Sequence, residues 1–153
     1  MNSSGLPPGQ REIDAMLRWN IDHPGITARN PSVNLKEWTL TVDGDVENAL
    51  TLKWQEFLNL PAVESESDFH CVEGWSVKAC KWYGVRFSSL AQLVKPREEA
   101  QYALFECSDG YTTSLSLEEL LRDNVILAYK LNGRDLQTSM GGPLRLMVPD
   151  KYA

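Results

Sequence analysis

The chain has 153 residues, of which 42% are hydrophobic and 24% charged, as in an ordinary globular domain that can bury its own core. Its formal net charge of −6 makes the surface acidic, which argues against general nucleic-acid binding because phosphate backbones are repelled. No stretch approaches the ~20 apolar residues of a membrane span, and neither a signal-peptide run nor a twin arginine opens the chain. A cytoplasmic location is therefore expected, with export of a longer precursor left open.

The N-terminal part of the chain is rich in Pro, Gly, Asn and Ser, which favour loops over helices and strands. We interpret residues 1–24 as an arm that lies over the domain, with a short helix at residues 11–19. Residues 25–153 are predicted to form the domain itself, and they contain no internal repeat and no low-complexity tract.

Short elements are predicted for the rest of the chain, each from a local signal. Thr51 is predicted to cap a helix, Ser116 and Glu119 form a capping box, and Asn132-Gly133 is a hairpin signal. The predicted strands cover residues 37–42, 68–72, 82–85, 102–107, 111–115, 125–131 and 144–148, and the predicted helices cover residues 52–60, 89–94 and 117–123. Because the helices do not alternate strictly with strands, a mixed, largely β, α+β fold is favoured over a doubly wound parallel sheet.

The three cysteines favour reduced thiols in a reducing compartment, because their number is odd and no CxxC pair is present. One of them, Cys71, lies in the stretch FHCVEGWS at the end of a predicted strand. Three interpretations are open for it: a small buried hydrophobe, a nucleophile, or a ligand of a soft or high-valent metal. The nucleophile is disfavoured, because the adjacent His70 points to the opposite strand face and His23 lies in the arm.

Several segments follow one another in a set order, and each is a weak signal alone. They are A-R-N-P-S-V and W-T-L-T-V-D-G-D-V upstream, then FHCVEGWSV, W-x-G-V from Trp82, S-D-G-Y-T-T-S-L-S-L-E-E-L-L from Ser108, V-I-L-A-Y-K-L-N-G-R-D-L from Val125, and G-G-P-L-R-L-M-V-P from Gly141. By their joint order and spacing, residues 25–153 resemble the sulfite-oxidase-type molybdopterin-binding domain. Within that family, the V-E-G-W-S loop is similar to the bacterial or archaeal branch that reduces sulfoxides.

The resemblance implies an oxidoreductase in which molybdopterin holds one molybdenum, with Cys71 as the catalytic residue and the protein thiolate that binds the metal. An oxygen atom would move between the metal and a small sulfur-containing substrate, either a sulfoxide or an oxyanion such as sulfite. The aromatic residues after Cys71 favour a sulfoxide, because only lysines follow it nearby as cations. Electrons would pass through a separate haem protein or other partner, since the chain has no C-x-x-C-H motif.

The resemblance also assigns positions around the cofactor, each with a plainer alternative. Asn30 with the adjacent Arg29 suits the edge of the pterin, or the pair simply forms a turn. Arg145 presents a fork of donors that suits the cofactor's phosphate, or makes a surface ion pair. His70 is assigned a hydrogen-bonding role beside the cofactor. Cys107 falls where relatives carry a small polar residue near the metal, or is a buried structural thiol. Ser108 and Asp109 would line the mouth of the same site, or form a plain hairpin.

Some features depart from the family pattern and keep other functions open. Met140 stands where many relatives carry His or Asn, and a methionine cannot donate a hydrogen bond to a phosphate or pterin. Relatives continue with a closing strand, so the chain is expected to be a short variant or truncated. A cofactor-free, non-catalytic relative that acts as a binding module is therefore one alternative. Another is a zinc-stabilised interaction module with His70, Cys71, Cys80 and Cys107 as candidate ligands.

Overall fold

Short strands dominate the structure. The computed structural model describes residues 5–18, 21–22, 32–71 and 74–149, and this part forms ten strands, three α-helices and one 3-10 helix. The strands are β1 Arg11–Glu12, β2 Thr39–Val42, β3 Leu50–Lys53, β4 Val63–His70, β5 Trp75–Arg86, β6 Tyr102–Glu106, β7 Thr112–Ser116, β8 Ile126–Leu131, β9 Arg134–Asp135 and β10 Arg145–Met147. The helices are α1 Trp54–Leu58, α2 Phe87–Val94, α3 Leu117–Leu120 and the 3-10 helix Thr138–Met140. This is the largely β, α+β architecture that the sequence predicts.

A six-stranded mixed sheet contains the long β5 as its middle strand. Along one side of β5 lies β4, which pairs with it antiparallel. On the other side, β1 pairs parallel with the start of β5, and β8 pairs antiparallel with its end. The strands β9 and β10 both pair with β8, while β2–β3 and β6–β7 form separate two-stranded sheets. The start of β5 is thus held between β1 and β4.

Hydrophobic side chains are buried on both faces of this sheet, because alternate residues of a strand point to opposite faces. In β8, Ile126 and Ala128 belong to one buried cluster, and Leu127 and Tyr129 belong to another. The first of these contains Cys71 and is called the Cys71 cluster below. The second receives side chains from α1 and α2. Both helices therefore cover the face of the sheet opposite Cys71.

The helix predicted at residues 11–19 is wrong in its described part, where Arg11–Glu12 form β1 and residues 13–18 are irregular. The amide of Arg11 donates to the carbonyl of Gly74 at 2.9 Å, and that of Ile13 donates to the carbonyl of Ser76 at 2.8 Å. Met16 then enters the Cys71 cluster with 7% of its surface exposed. Pairing with β5 overrides the local helix preference of this segment, as tertiary context commonly does.

The helix cap predicted at Thr51 is also wrong. Thr51 lies within β3, and its hydroxyl oxygen is 3.2 Å from that of Thr41 on β2. The helix begins later, after Lys53, whose amide donates to the carboxylate of Glu56 at 3.0 Å. The residues that were expected to form the first turn of the helix instead pair with β2.

Most other predicted elements are confirmed, with ends shifted by a few residues. The strand predicted at residues 68–72 ends at His70 as part of the longer β4, and the strand predicted at residues 82–85 is part of the longer β5. The Asn132-Gly133 hairpin joins β8 to β9, with positive φ angles of 51° and 81°. No helix in the described ranges is long and apolar enough to cross a membrane.

Candidate functional site

Cys71 lies in a tight turn that joins the end of β4 to the start of β5. Its amide donates to the carbonyl of Trp75 at 2.9 Å, and its carbonyl accepts from the amide of Gly74 at 3.0 Å. Gly74 has a φ of 97°, and a Cβ at this position would lie 3.2 Å from the carbonyl oxygen of Gly9. Both facts explain the glycine, because L side chains rarely adopt this φ and the N-terminal segment passes close by.

Aromatic side chains surround the thiol in the Cys71 cluster. Cys71 is 4% exposed, and Phe69, Trp75 and Trp82 are each 2% exposed or less. The ring of Phe69 lies 5.4 Å from that of Trp75 and 6.1 Å from that of Trp82, measured between centroids. The indole N–H of Trp82 is buried and has no hydrogen-bond acceptor among the described residues. The surroundings of the thiol are therefore largely apolar, with the buried indole N–H of Trp82 among the few polar groups.

Arg145, on β10, supplies a positive charge at this cluster. Its guanidinium carbon lies 5.3 Å from the ring centroid of Phe69 and 5.6 Å from that of Trp82, both in the range of cation–π contacts. Burial lowers the pKa of Arg145 to about 10, and the Coulombic interaction with Cys71 opposes part of that change. The guanidinium therefore remains charged at neutral pH, close enough to the thiol for the two to interact.

The loop before β10 orients this arginine through its backbone. The carbonyl of Met140 accepts from the Nη1 of Arg145 at 3.1 Å. Position 142 requires a glycine, because a Cβ there would lie 2.0 Å from the carbonyl oxygen of Leu136. Since the contact to Arg145 uses a main-chain oxygen, a methionine side chain at position 140 does not prevent it. The Met140 side chain packs against the Cys71 cluster.

A chain of hydrogen bonds joins three polar side chains to the backbone of Cys71. The amide Nε2 of Gln10 donates to the Cys71 carbonyl at 3.1 Å. The hydroxyl of Ser76, which is fully buried, donates to the Oε1 of Gln10 at 2.8 Å and lies 2.7 Å from the Nδ1 of His70. Sequence reasoning missed Gln10 and Ser76, because their partners lie more than sixty residues apart along the chain.

The structure brings together three of the residues predicted for the site, His70, Cys71 and Arg145. A different part of the fold, the turn between β6 and β7, carries Cys107, Ser108 and Asp109. Cys107 is exposed there, and the carboxylate of Asp109 accepts from the amide of Tyr111 at 3.0 Å. Their predicted contact with a cofactor stays a prediction. The last two predicted positions, Arg29 and Asn30, lie outside the described residues.

The three cysteines form no disulfide with one another. In the described part of the chain, no group of three or more His, Cys, Asp or Glu side chains is placed to bind one ion. The zinc alternative therefore has no support there. A metal at Cys71 would need most of its ligands from a cofactor.

The family model described as "Oxidoreductase molybdopterin binding domain" matches residues 27–153. The chain is 36% identical over 119 residues to the uncharacterized oxidoreductase YuiH of Bacillus subtilis, a match that covers 78% of this chain and 60% of that protein. It is 30% identical over 136 residues to MsrP of Campylobacter jejuni, named a protein-methionine-sulfoxide reductase catalytic subunit, with 78% of this chain and 46% of that protein covered. The chain thus spans about half the length of these curated relatives.

The fold also resembles that of the sulfane dehydrogenase SoxCD from Paracoccus pantotrophus. The TM-score is 0.71 at 20% sequence identity, with 79% of this chain and 36% of that chain covered. This likeness confirms the fold class predicted from the sequence. The family match confirms the predicted resemblance, the predicted oxidoreductase class and its molybdenum–molybdopterin cofactor. The chain belongs to the oxidoreductase molybdopterin-binding domain family, of sulfite-oxidase type.

Proposed function

We propose that this chain transfers an oxygen atom to or from a small sulfur-containing substrate, at a molybdenum bound by molybdopterin and by the thiolate of Cys71. The observation that carries the proposal is the position of the thiol. Cys71 lies in a turn closed by two main-chain hydrogen bonds, within an aromatic cluster and within Coulombic range of the partly buried Arg145. A cysteine that only filled space would need no cation beside it.

The side chains around Cys71 suit an anionic cofactor that brings its own metal ligands. The thiol is a soft ligand, as molybdenum with sulfur ligands requires. Arg145 is a partly buried cation with several N–H donors, which suits phosphate or other anionic groups. The indole N–H of Trp82 is a further donor without an acceptor among the described residues. These groups would hold the cofactor, which supplies the redox-active metal and the site of oxygen transfer.

The chain's own residues then bind, orient and exclude water. Cys71 coordinates the metal, and the turn that contains it limits the directions its thiolate can take. Arg145 neutralises negative charge at the site, where the largely apolar surroundings strengthen electrostatic interactions. Phe69 and Trp82 keep the guanidinium in place by stacking on it. Reduction of a sulfoxide to a thioether and water consumes electrons and protons, whereas oxidation of sulfite to sulfate releases them.

Among sulfur substrates we favour a sulfoxide over sulfite. Lys78 and Lys81, the cations that follow Cys71 in sequence, are exposed on β5 and do not belong to the Cys71 cluster. Apolar aromatic surroundings suit a neutral sulfoxide better than a dianion. The relative MsrP, whose name describes a methionine-sulfoxide reductase, supports the same choice. We expect a separate electron-transfer partner to supply the electrons.

The experiment that tests this function is a substrate comparison on cofactor-loaded protein. With a reduced viologen dye as electron donor, we expect methionine sulfoxide, free and in peptides, to be reduced. With a dye acceptor, we expect sulfite to be oxidised at least about tenfold less efficiently. Efficient sulfite oxidation would reverse the choice of substrate. Folded protein that takes up neither molybdenum nor pterin would instead favour the cofactor-free binding module.

A further inference from the structure

The carbonyl oxygen of Cys71 is held by two donors from different parts of the chain. Gly74 donates its amide from within the turn at 3.0 Å, and Gln10 donates its side-chain Nε2 from the N-terminal segment at 3.1 Å. A carbonyl oxygen has two lone pairs, so these two bonds satisfy it. The second bond links the turn to a residue 61 positions earlier, outside the two strands that the turn joins.

The Cys71 carbonyl determines which group donates and which accepts in each hydrogen bond of the chain. A carbonyl can only accept, so the Gln10 amide turns its NH₂ towards Cys71 and its oxygen towards Ser76. Ser76 has one hydroxyl hydrogen and gives it to Gln10, so its oxygen accepts from the Nδ1–H of His70. Position 10 must therefore donate and accept at once, which a glutamine does and an ionised glutamate does not.

Backbone pairing places Gln10 at this point. The next residue, Arg11, pairs with Trp75 in the parallel β1–β5 ladder, and its amide donates to the carbonyl of Gly74. The residue before, Gly9, passes so close to Gly74 that a Cβ there would lie 3.2 Å from the Gly9 oxygen. The main chain on both sides of Gln10 is thus in contact with the turn. Its side chain lies over the one carbonyl that belongs to the proposed metal ligand.

We propose that Gln10 is a positioning residue for Cys71, so that the N-terminal segment completes the metal site rather than only covering the domain. Its purpose rests on the proposed function, whereas the clamp itself is a property of the chain without cofactor. Loss of the Gln10 bond removes the hold of the N-terminal side chain on the Cys71 carbonyl, which still accepts from the Gly74 amide within the turn. The turn then opens more often, and the direction of the Cys71 thiolate is less well defined.

Opening of the turn is measurable in cofactor-free protein as the alkylation rate of Cys71 by iodoacetamide, followed by mass spectrometry of its peptide. Cys80 is an internal reference, because it is 1% exposed and lies in the same Cys71 cluster. Gln10→Met removes both hydrogen bonds of the side chain, and Gln10→Glu removes the donor to Cys71. Both variants are expected to speed alkylation of Cys71 about tenfold and to leave Cys80 within about twofold of wild type.

The matched control is Gln92→Glu, the same charge change at an exposed position of α2, which should alter neither rate. Equal acceleration of both cysteines would show general destabilisation, and no acceleration would show that Gln10 does not hold the turn; either result overturns the proposal. If both position-10 variants fail to fold, Ser76→Ala tests the same chain. It removes the hydroxyl that orients the amide, and it should give a smaller effect with the same preference for Cys71.

A spectroscopic readout on loaded protein separates positioning from structural support. The electron paramagnetic resonance spectrum of the molybdenum is expected to shift its g values in Gln10→Glu and to match wild type in Gln92→Glu. Identical spectra in all three proteins would contradict a role of Gln10 at the metal. Wild-type protein without molybdenum would contradict the proposed function, while the alkylation rates would still decide whether Gln10 clamps the turn.

Discussion

Two turns of the molecule share one local geometry. After β4, the amide of Cys71 donates to the carbonyl four residues later at 2.9 Å, and its carbonyl accepts from Gly74 at 3.0 Å. After β6, Cys107 makes the same two bonds, at 2.8 Å to the carbonyl four residues later and at 3.0 Å from Gly110. The glycines have φ angles of 97° and 90°, and an aromatic residue follows each. The local pattern Cys-x-x-Gly-aromatic thus specifies the same turn twice.

The surroundings of the two turns differ. Cys71 is 4% exposed, interacts with Arg145 and has its carbonyl held by Gln10. Cys107 is exposed at the end of a two-stranded sheet. The local sequence of the turn therefore sets its backbone conformation. Residues far away in the sequence bury Cys71, place the charge of Arg145 near it and supply the hydrogen bond from Gln10. In the described part of the chain, the proposed metal ligand is thus the cysteine that is buried and interacts with a cation.

The largest expected difference between the turns is in activity. Cys71→Ser should lower sulfoxide reduction by loaded protein at least about a hundredfold, because changes to groups that merely support a ligand already cost ~10–100-fold. The same change at the other turn, Cys107→Ser, should leave the rate within about twofold. Steady-state assays at equal protein concentration make the comparison. A large loss in Cys107→Ser would return that residue to the site, as the family resemblance predicts.

The two glycines sharpen the comparison through stability. Gly110→Ala should lower the free energy of unfolding by about 1–2 kcal/mol, because it only forces a residue with a Cβ into positive φ. Gly74→Ala should cost more, about 3 kcal/mol, since its Cβ also meets the Gly9 oxygen at 3.2 Å. Urea denaturation of cofactor-free protein measures both. Equal losses would mean that the N-terminal segment does not press on the Cys71 turn.

A third thiol, Cys80, shows what burial does where no cation contributes to the pKa. Burial, together with the charge of Asp68, raises the pKa of Cys80 from 9.0 to about 11. The unfolded thiol ionises first as the pH rises, so stability is unaffected below pH 9 and falls between pH 9 and 11, by about 2 kcal/mol. Cys80→Ala should lack this part of the decline in pH-dependent denaturation. An unchanged decline in the variant would contradict the assignment.

The smallest expected effect is the change in the free energy of unfolding when the charge of Arg145 is removed. Burial disfavours the charge of Arg145, so Arg145→Met in cofactor-free protein should raise the free energy of unfolding by about 1 kcal/mol. The same variant should retain at least about tenfold less cofactor. Arg134→Met, at an exposed position of β9, is the control and should change stability by less than about 0.5 kcal/mol. A clear loss of stability in Arg145→Met would show that the arginine serves the fold.

The family and the fold class could be predicted because many weak motifs occur in the right order, and most strands followed from local alternation. The wrong predictions concern segments whose secondary structure is decided by pairing with distant strands. Residues 11–18 look helical alone, yet Arg11 and Ile13 bond to the backbone of the Cys71 turn and of β5. Thr51 looks like a cap, yet β2 pairs with it. Neither partner is visible in a local window of sequence.

Of the candidate site, the family resemblance predicted Cys71 and Arg145, and the structure places them together. The resemblance did not predict which feature of the fold brings these two side chains near each other. The position of Arg145 over the Cys71 cluster depends on the register between β8 and β10, which puts Arg145 opposite Ala128. Gln10 carried no signal, because a glutamine before a short strand has no distinctive pattern. The similarity of the two turns was also not predicted, although the sequences C-V-E-G-W and C-S-D-G-Y share the pattern Cys-x-x-Gly-aromatic.

The central claim is that Cys71 is the protein ligand of molybdenum. X-ray absorption at the molybdenum edge, on loaded wild-type protein and on the metal retained by Cys71→Ser, tests it most directly. The account predicts one sulfur neighbour fewer around the metal in the variant, with Cys107→Ser identical to wild type. The same sulfur coordination in wild type and Cys71→Ser would contradict it.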